Sequence, residues 1–172
     1  LRCLERQYDF NATRRVGYHE YLPDPLDIYV IEGIQAVYPE VAALFAGIPE
    51  RSLFINVMKD TVLVDADGRE RVFTPDRIRL MRRLVRDEAK RGTSPDFTLT
   101  LWHSVRDNEV NSIYPYAHTC DYGIDSNMEF DIHMLAPHLR RIFAEQPCDG
   151  LEVEWSQRIL ASVEGVEGID PA

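Results

Sequence analysis

The stretch DIYVIEGIQAVYPEVAALFAGIPERSLFINVM, residues 27–58, carries the pattern that sets the fold class. Asp27 to Ile34 is a short β-branched run with Gly33 near its end, the composition of a strand buried on both faces of a parallel sheet. Pro39 to Gly47 has Pro near its start and Gly at its end, which suits a short helix. Ser52 to Met58 is a second apolar run of strand length. Strand, helix and strand in this order make a βαβ unit with a right-handed crossover, so the class is α/β with a parallel sheet and flanking helices.

Downstream, Thr61 to Thr74 alternates apolar and polar residues around Asp67-Gly68, a dipeptide that supplies the positive φ of a tight turn. This predicts a hairpin inserted outside the main sheet. Thr74-Pro75-Asp76 reads as a helix start with Thr as N-cap, and the helix should run to Arg91 and stop at Gly92. Further helices are expected at about Asp96 to Asn108 and Ala136 to Ala144, with short strands near Tyr122 to Ile124 and Phe130 to Met134. Glu164 to Ala172, acidic and Gly-containing, is expected to be loose. No internal repeat is present, so residues 1–172 are expected to belong to one domain.

Composition excludes several classes. No apolar run approaches the ~20 residues of a membrane span, and residues 1–6 (LRCLER) lack the core of a signal peptide, so a cytoplasmic location is expected. Cys3, Cys120 and Cys148 are odd in number and far apart, which suggests neither a disulfide framework nor a zinc site. A net charge of −10 argues against a general nucleic-acid binder, because a phosphate backbone would be repelled. Yet nine of the 19 basic residues fall between Arg69 and Arg91.

Within that basic stretch, Arg79, Arg83, Arg86 and Lys90 share a stripe about 60° wide on the helix, opposite Ile78, Met81, Leu84 and Val85. Like charges one turn apart cost roughly 0.2–0.5 kcal/mol per pair. Two readings fit: an anion such as a triphosphate compensates the stripe, or the stripe is a solvated face paired with Asp76, Asp87 and Glu88. Glu32, at the C-terminal end of its expected strand, lies where open α/β sheets bind ligands and would there orient a Mg²⁺ or its water; a structural pairing with an arginine is the alternative. Tyr8-Asp9-Phe10 followed by Arg14-Arg15 would suit a stacked base and a held hydroxyl or phosphate, or else an amphipathic loop with Phe10 in the core. The five histidines show no metal-ligand spacing.

Taken in order, Tyr8-Asp9-Phe10 to Arg15, DIYVIEGI at 27–34, RIRLMRRLVRDEAKRG at 77–92, LWHSVRDNEVNSIYPY at 101–116 and CDYGIDSNMEFDIHML at 120–135 resemble successive motifs of the uridine kinase and phosphoribulokinase family of P-loop kinases. The likeness covers about Gln7 to Phe143. It extends to bacterial uridine kinase-like nucleoside kinases with an N-terminal TGS domain, which share the hairpin insertion and the W-x-S-V-R run.

The resemblance implies a kinase that uses ATP and Mg²⁺ to phosphorylate a hydroxyl of a small nucleoside-like substrate, with no nucleic-acid or membrane partner. It implies that Arg86 and Arg91 hold the transferring phosphates from a lid helix over 76–92, beside the 61–74 insertion. By the same likeness Arg83 contacts the acceptor, Tyr8 packs on it, Arg15 helps to hold it, and Glu32 assists the magnesium site. Thr13 stands where pyrimidine nucleoside kinases carry a histidine, and Leu101 where they carry an acceptor-contacting glutamine. A sugar phosphate or pantothenate-like acceptor therefore stays open, as does a non-catalytic phosphate-binding module. The sequence contains no G-x-x-x-x-G-K-[ST]. It is accordingly read as the C-terminal part of the kinase fold, lacking the P-loop strand and inactive alone. The bare flank of the 27–34 strand is expected to be covered by further N-terminal chain or by a second copy, the latter making a homo-oligomer.

Overall fold

In a computed structural model, which describes residues 3–9, 12, 14–22, 24, 26–48 and 50–169, the chain divides into two units, one reaching to Ala36 and one starting at Val37. In the first unit, β1 (Cys3–Asp9) and β2 (Arg14–Tyr21) pair antiparallel, with a bulge between Gln7 and Tyr8. The loop expected around Tyr8 and Arg15 is thus a hairpin. The Asp9 carboxylate accepts from the Ala12 N–H at 3.1 Å and shapes its turn. Phe10 and Thr13 lie outside the described residues.

The strand expected at 27–34 is not formed. Asp27 to Gly33 carries no ladder, and its apolar side chains face water: Ile28 is 92% exposed and Val30 91%. A strand needs a neighbour to receive its backbone bonds, and the adjacent strands β1 and β2 already pair with each other. What orders the start of this segment is Asp27, whose carboxylate accepts from Tyr21 Oη, from Tyr29 Oη at 3.2 Å and from the Asp24 N–H at 2.9 Å. The expected flank for another chain to cover is therefore an exposed apolar segment, not the edge of a formed strand.

In the second unit, the helix expected at Pro39 to Gly47 is a single turn, α1 (Pro39–Ala42), followed by a 3-10 turn over Ala43–Phe45. The parallel pairing is made by β3 (Leu53–Asn56) with β6 (Tyr122–Asp125), in the register Leu53↔Tyr122 to Asn56↔Asp125. The parallel sheet thus exists, but its second strand comes from 122–125 and not from 27–34. Between these strands the chain makes a hairpin and two helices. The hairpin pairs β4 (Thr61–Val64) with β5 (Glu70–Phe73), closed by Gly68 at φ 81°.

The helix α2 (Pro75–Arg91) follows, with Thr74 at the N-cap position although its side chain caps nothing. It ends on Gly92 at φ 60°, where the Gly92 and Thr93 N–H groups return to the carbonyls of Glu88 and Asp87, a left-handed cap that glycine adopts without strain. Ile78, Leu80, Met81 and Leu84 of α2 are buried, each contributing about 1.5–3 kcal/mol by leaving water. α3 (Pro95–Asn108) begins on Ser94, whose Oγ accepts from the Phe97 N–H at 3.3 Å. It runs into a π-helical turn over Glu109–Ile113 and a 3-10 segment over Tyr114–Thr119.

The strand expected at Phe130–Met134 is instead the start of α4 (Asp131–Glu145). Phe130, Ile132 and Met134 alternate like a strand, but Ile132, Leu135, Ala136, Leu139 and Phe143 recur at helical spacing and all are buried. Pro137 inside α4 cannot donate to His133, and the freed His133 carbonyl accepts from the Ile169 N–H at 3.2 Å. That bond belongs to the end expected to be loose. After α5 (Glu152–Ser162), Val163 and Val166 enter the core, and Gly168 lies against Pro137 so closely that a Cβ would fall 2.4 Å from its Cγ. Among the described residues no helix is long and apolar enough to cross a membrane.

Candidate functional site

The last turns of α2 bring Arg83, Arg86 and Arg91 onto one carboxylate. Asp87 has a side chain only 4% exposed. Arg86 donates to its Oδ1 from Nε at 3.0 Å and Nη2 at 2.8 Å, Arg91 from Nη1 at 3.1 Å, and the Arg83 Nε lies 3.3 Å from Oδ2. Spacing produces this: residues 83, 87 and 91 are successive turns of one face, and 86 adjoins it. Three guanidiniums around one carboxylate leave a local excess of positive charge. Burial holds the Arg83 guanidinium below its ordinary value; Asp87 opposes the shift, and Arg86 and Arg91 add to it. Its Nε is buried and makes no hydrogen bond. A guanidinium stays charged at any ordinary pH, so the excess persists.

Arg79, one turn earlier, belongs to a different network. It donates to Glu109 through Nη1 at 2.6 Å and Nη2 at 2.7 Å, and to Asp76 at 3.0 Å. Arg106 meets Glu109 at 2.6 Å, Asp76 at 2.8 Å and the Tyr114 hydroxyl at 3.1 Å. Burial alone would pull Arg79 down, but Glu109 and Asp76 more than offset this and hold it above its ordinary value. The stripe of Arg79, Arg83, Arg86 and Lys90 is thus divided. Arg79 is neutralised by acids, and Arg83 and Arg86 join Arg91 around Asp87. Glu88, expected to neutralise the stripe, instead pairs with Arg141 at 2.9 Å.

Sequence reasoning missed Glu109 and Arg106. Both stand in the run WHSVRDNEVNSIYPY, where Arg at i and Glu at i+3 on one helix face was the available signal.

In the first unit, Tyr8 and Arg15 are cross-strand partners in the hairpin. The Arg15 guanidinium lies 4.9 Å from the centre of the Tyr18 ring. Glu32 is exposed on the segment after Asp27. The structure therefore joins Tyr8 with Arg15, and Arg83 with Arg86 and Arg91.

The sequence model of the phosphoribulokinase/uridine kinase family matches residues 2–133. The chain belongs to that family. The match takes in the hairpins, the parallel pair, α2 and α3, and ends at the start of α4. No curated protein and no solved structure matches the chain.

Of the groups this family implies, the triphosphate fits what is present: three guanidiniums around one carboxylate, an excess of positive charge. For Mg²⁺ the described residues show no such fit. Among the described residues no three His, Cys, Asp or Glu gather as a metal site. Glu32, the carboxylate expected to assist the metal, is exposed in the first unit and belongs to no such cluster.

Proposed function

We propose that this chain serves an ATP-dependent kinase that phosphorylates a hydroxyl of a nucleoside-like acceptor, of the uridine kinase-like kind found with TGS domains in bacteria. The observation that carries the reading is the convergence of Arg83, Arg86 and Arg91 on Asp87. Phosphoryl transfer needs little covalent help from the protein and much fixed positive charge around the moving group. In the reaction the γ-phosphoryl leaves its bridging oxygen for the acceptor oxygen, a nucleoside diphosphate departs, and the hydroxyl proton is lost. Arg86 and Arg91, the more exposed pair, face the phosphates. Arg83, deeper, fixes their common carboxylate and reaches the acceptor. The family likeness alone gives Tyr8 and Arg15 to the acceptor and Glu32 to the metal.

Thr13 and Leu101 depart from the pyrimidine nucleoside kinase pattern, which keeps a second acceptor class, a sugar phosphate or pantothenate-like compound, open. A panel of nucleosides and sugar phosphates, read as thermal stabilisation and as ATP-dependent product, separates the two. In the active kinase, Arg86→Ala and Arg91→Ala should each lower kcat by about 10²-fold or more. Kinetics unchanged in both variants would sink the assignment of the cluster to phosphates.

A further inference from the structure

Along the first turns of α2, away from the Asp87 cluster in its last turns, α2, α3 and α5 enclose a cavity of about 300 Å³, a size that admits a small ligand. Arg77, Leu80 and Met81 of the cavity stand in the first two turns of α2, before Arg83, Arg86 and Arg91, and Arg77 and Met81 project roughly opposite to Arg83 and Arg86 at 100° per residue. α5 lies beyond residues 2–133, so this wall is outside the part of the chain that the family match covers.

The cavity has an apolar floor and a cationic mouth. Leu80, Met81, Trp102 and Ile159 are buried and line it, and Trp155 stands beside them with His103 edge-on at 6.0 Å between ring centres. Arg77, Arg106 and Arg158 surround it with a single carboxylate, Asp76. Arg106 is neutralised by Asp76 and Glu109. Among the described residues Arg158 pairs with Glu154, both of them largely exposed, a pairing that water weakens. Arg77 makes no hydrogen bond or ion pair among the described residues. Two cations thus remain available at the mouth of an aromatic cavity, in a chain whose net charge is −10.

We propose that this cavity binds a small planar anion, an aromatic or heteroaromatic ring carrying a carboxylate or phosphate. Indole and imidazole edges accept a flat ring by offset or edge-on contact, while Arg77 and Arg158 hold the charged group at the mouth. Neither arginine belongs to the proposed phosphate site, and the inference stands independently of the kinase reading.

The chain's two tryptophans, Trp102 and Trp155, both line the cavity, so tryptophan emission reports on this site. Phenyl phosphate and benzoate are titrated into the chain, with inorganic phosphate and phenol as charge-only and ring-only probes. At least one aromatic anion should change the emission saturably with a Kd below about 1 mM, and the Arg77→Ala/Arg158→Ala double variant should bind it about tenfold more weakly. Both replaced side chains are exposed, and an unchanged circular dichroism spectrum confirms that the variant is folded. The proposal fails if neither anion saturates, if the double variant binds as tightly as the parent, or if phenol matches phenyl phosphate.

Discussion

A carboxylate shared by three guanidiniums holds more than its own helix together. Asp87 receives charge-assisted bonds from Arg86 and Arg91, an ion pair from Arg83, and lies 3.5 Å from the Thr98 hydroxyl of α3. Asp87→Asn removes the one negative charge and leaves three cations facing one another. Because Asp87 is buried and its partners only partly so, the expected loss is about 2–3 kcal/mol, with solvent screening keeping it below the cost of breaking a fully buried pair. Arg86→Ala removes a half-exposed side chain and should cost less than about 1 kcal/mol. Urea denaturation of both variants checks the order; equal losses would show that Asp87 is not the hub. The sequence disclosed the arginines because their spacing is local. It did not disclose that Asp87 gathers three of them or that Glu109 takes Arg79, since the first depends on which rotamers packing permits and the second on where a neighbouring helix docks.

Among the elements, helices were the most legible, because α2 and α3 carry their own start and stop signals and their own apolar faces. Strands were less so. β3 and β6 are short, and their partnership spans 69 positions from Leu53 to Tyr122. The 27–34 run has strand composition without a neighbour to pair with. α5 escaped notice although Val153, Ser156, Leu160 and Val163 recur at helical spacing, because its acidic first turn and half-apolar face give a weak signal.

The parallel pair carries a pH signature. Asp121 accepts from the Ser52 N–H at 2.8 Å and Oγ at 3.0 Å, and Asp125 from the N–H groups of Met58 at 2.9 Å and Asn127 at 3.0 Å. These bonds hold both carboxyls below the ordinary aspartate value. A depressed carboxyl lends its full contribution above the unfolded value of about 3.9 and loses it as pH falls through the lower folded value. The Met58 amide resonance should therefore titrate with a midpoint below about pH 3.9, and Asp125→Asn should abolish that titration. A midpoint at or above the ordinary value would contradict the bond. The end of the chain supplies a second test at this scale. In Gly168→Ala the new methyl would meet Pro137, so the 164–169 segment must shift and the Ile169 amide should lose its protection from hydrogen exchange. Unaltered protection would mean that Pro137 yields instead.

For the whole molecule the unresolved physical problem is the apolar segment after β2. Leu26, Ile28 and Val30 are each more than nine-tenths exposed. Covering one such side chain is worth about 1.5–3 kcal/mol, so the three together offer roughly 5–9 kcal/mol to whatever covers them. Their residues are exposed, so the backbone carries no burial penalty, but it forms no ladder and remains open to a pairing strand. Association itself costs about 4 kcal/mol or more in lost translation and rotation. The surplus is thus small, and the expected behaviour is concentration-dependent self-association and not a permanent dimer. Light scattering on the 172-residue chain should show mass rising only toward millimolar concentration, on the order of a 1 mM Kd. Ile28→Lys with Val30→Lys, which places charge where the partner would sit, should return it to a monomer without altering the fold of the second unit. A chain that stays monomeric at about 1 mM, or a lysine variant that associates as strongly, would show that this segment is no pairing surface.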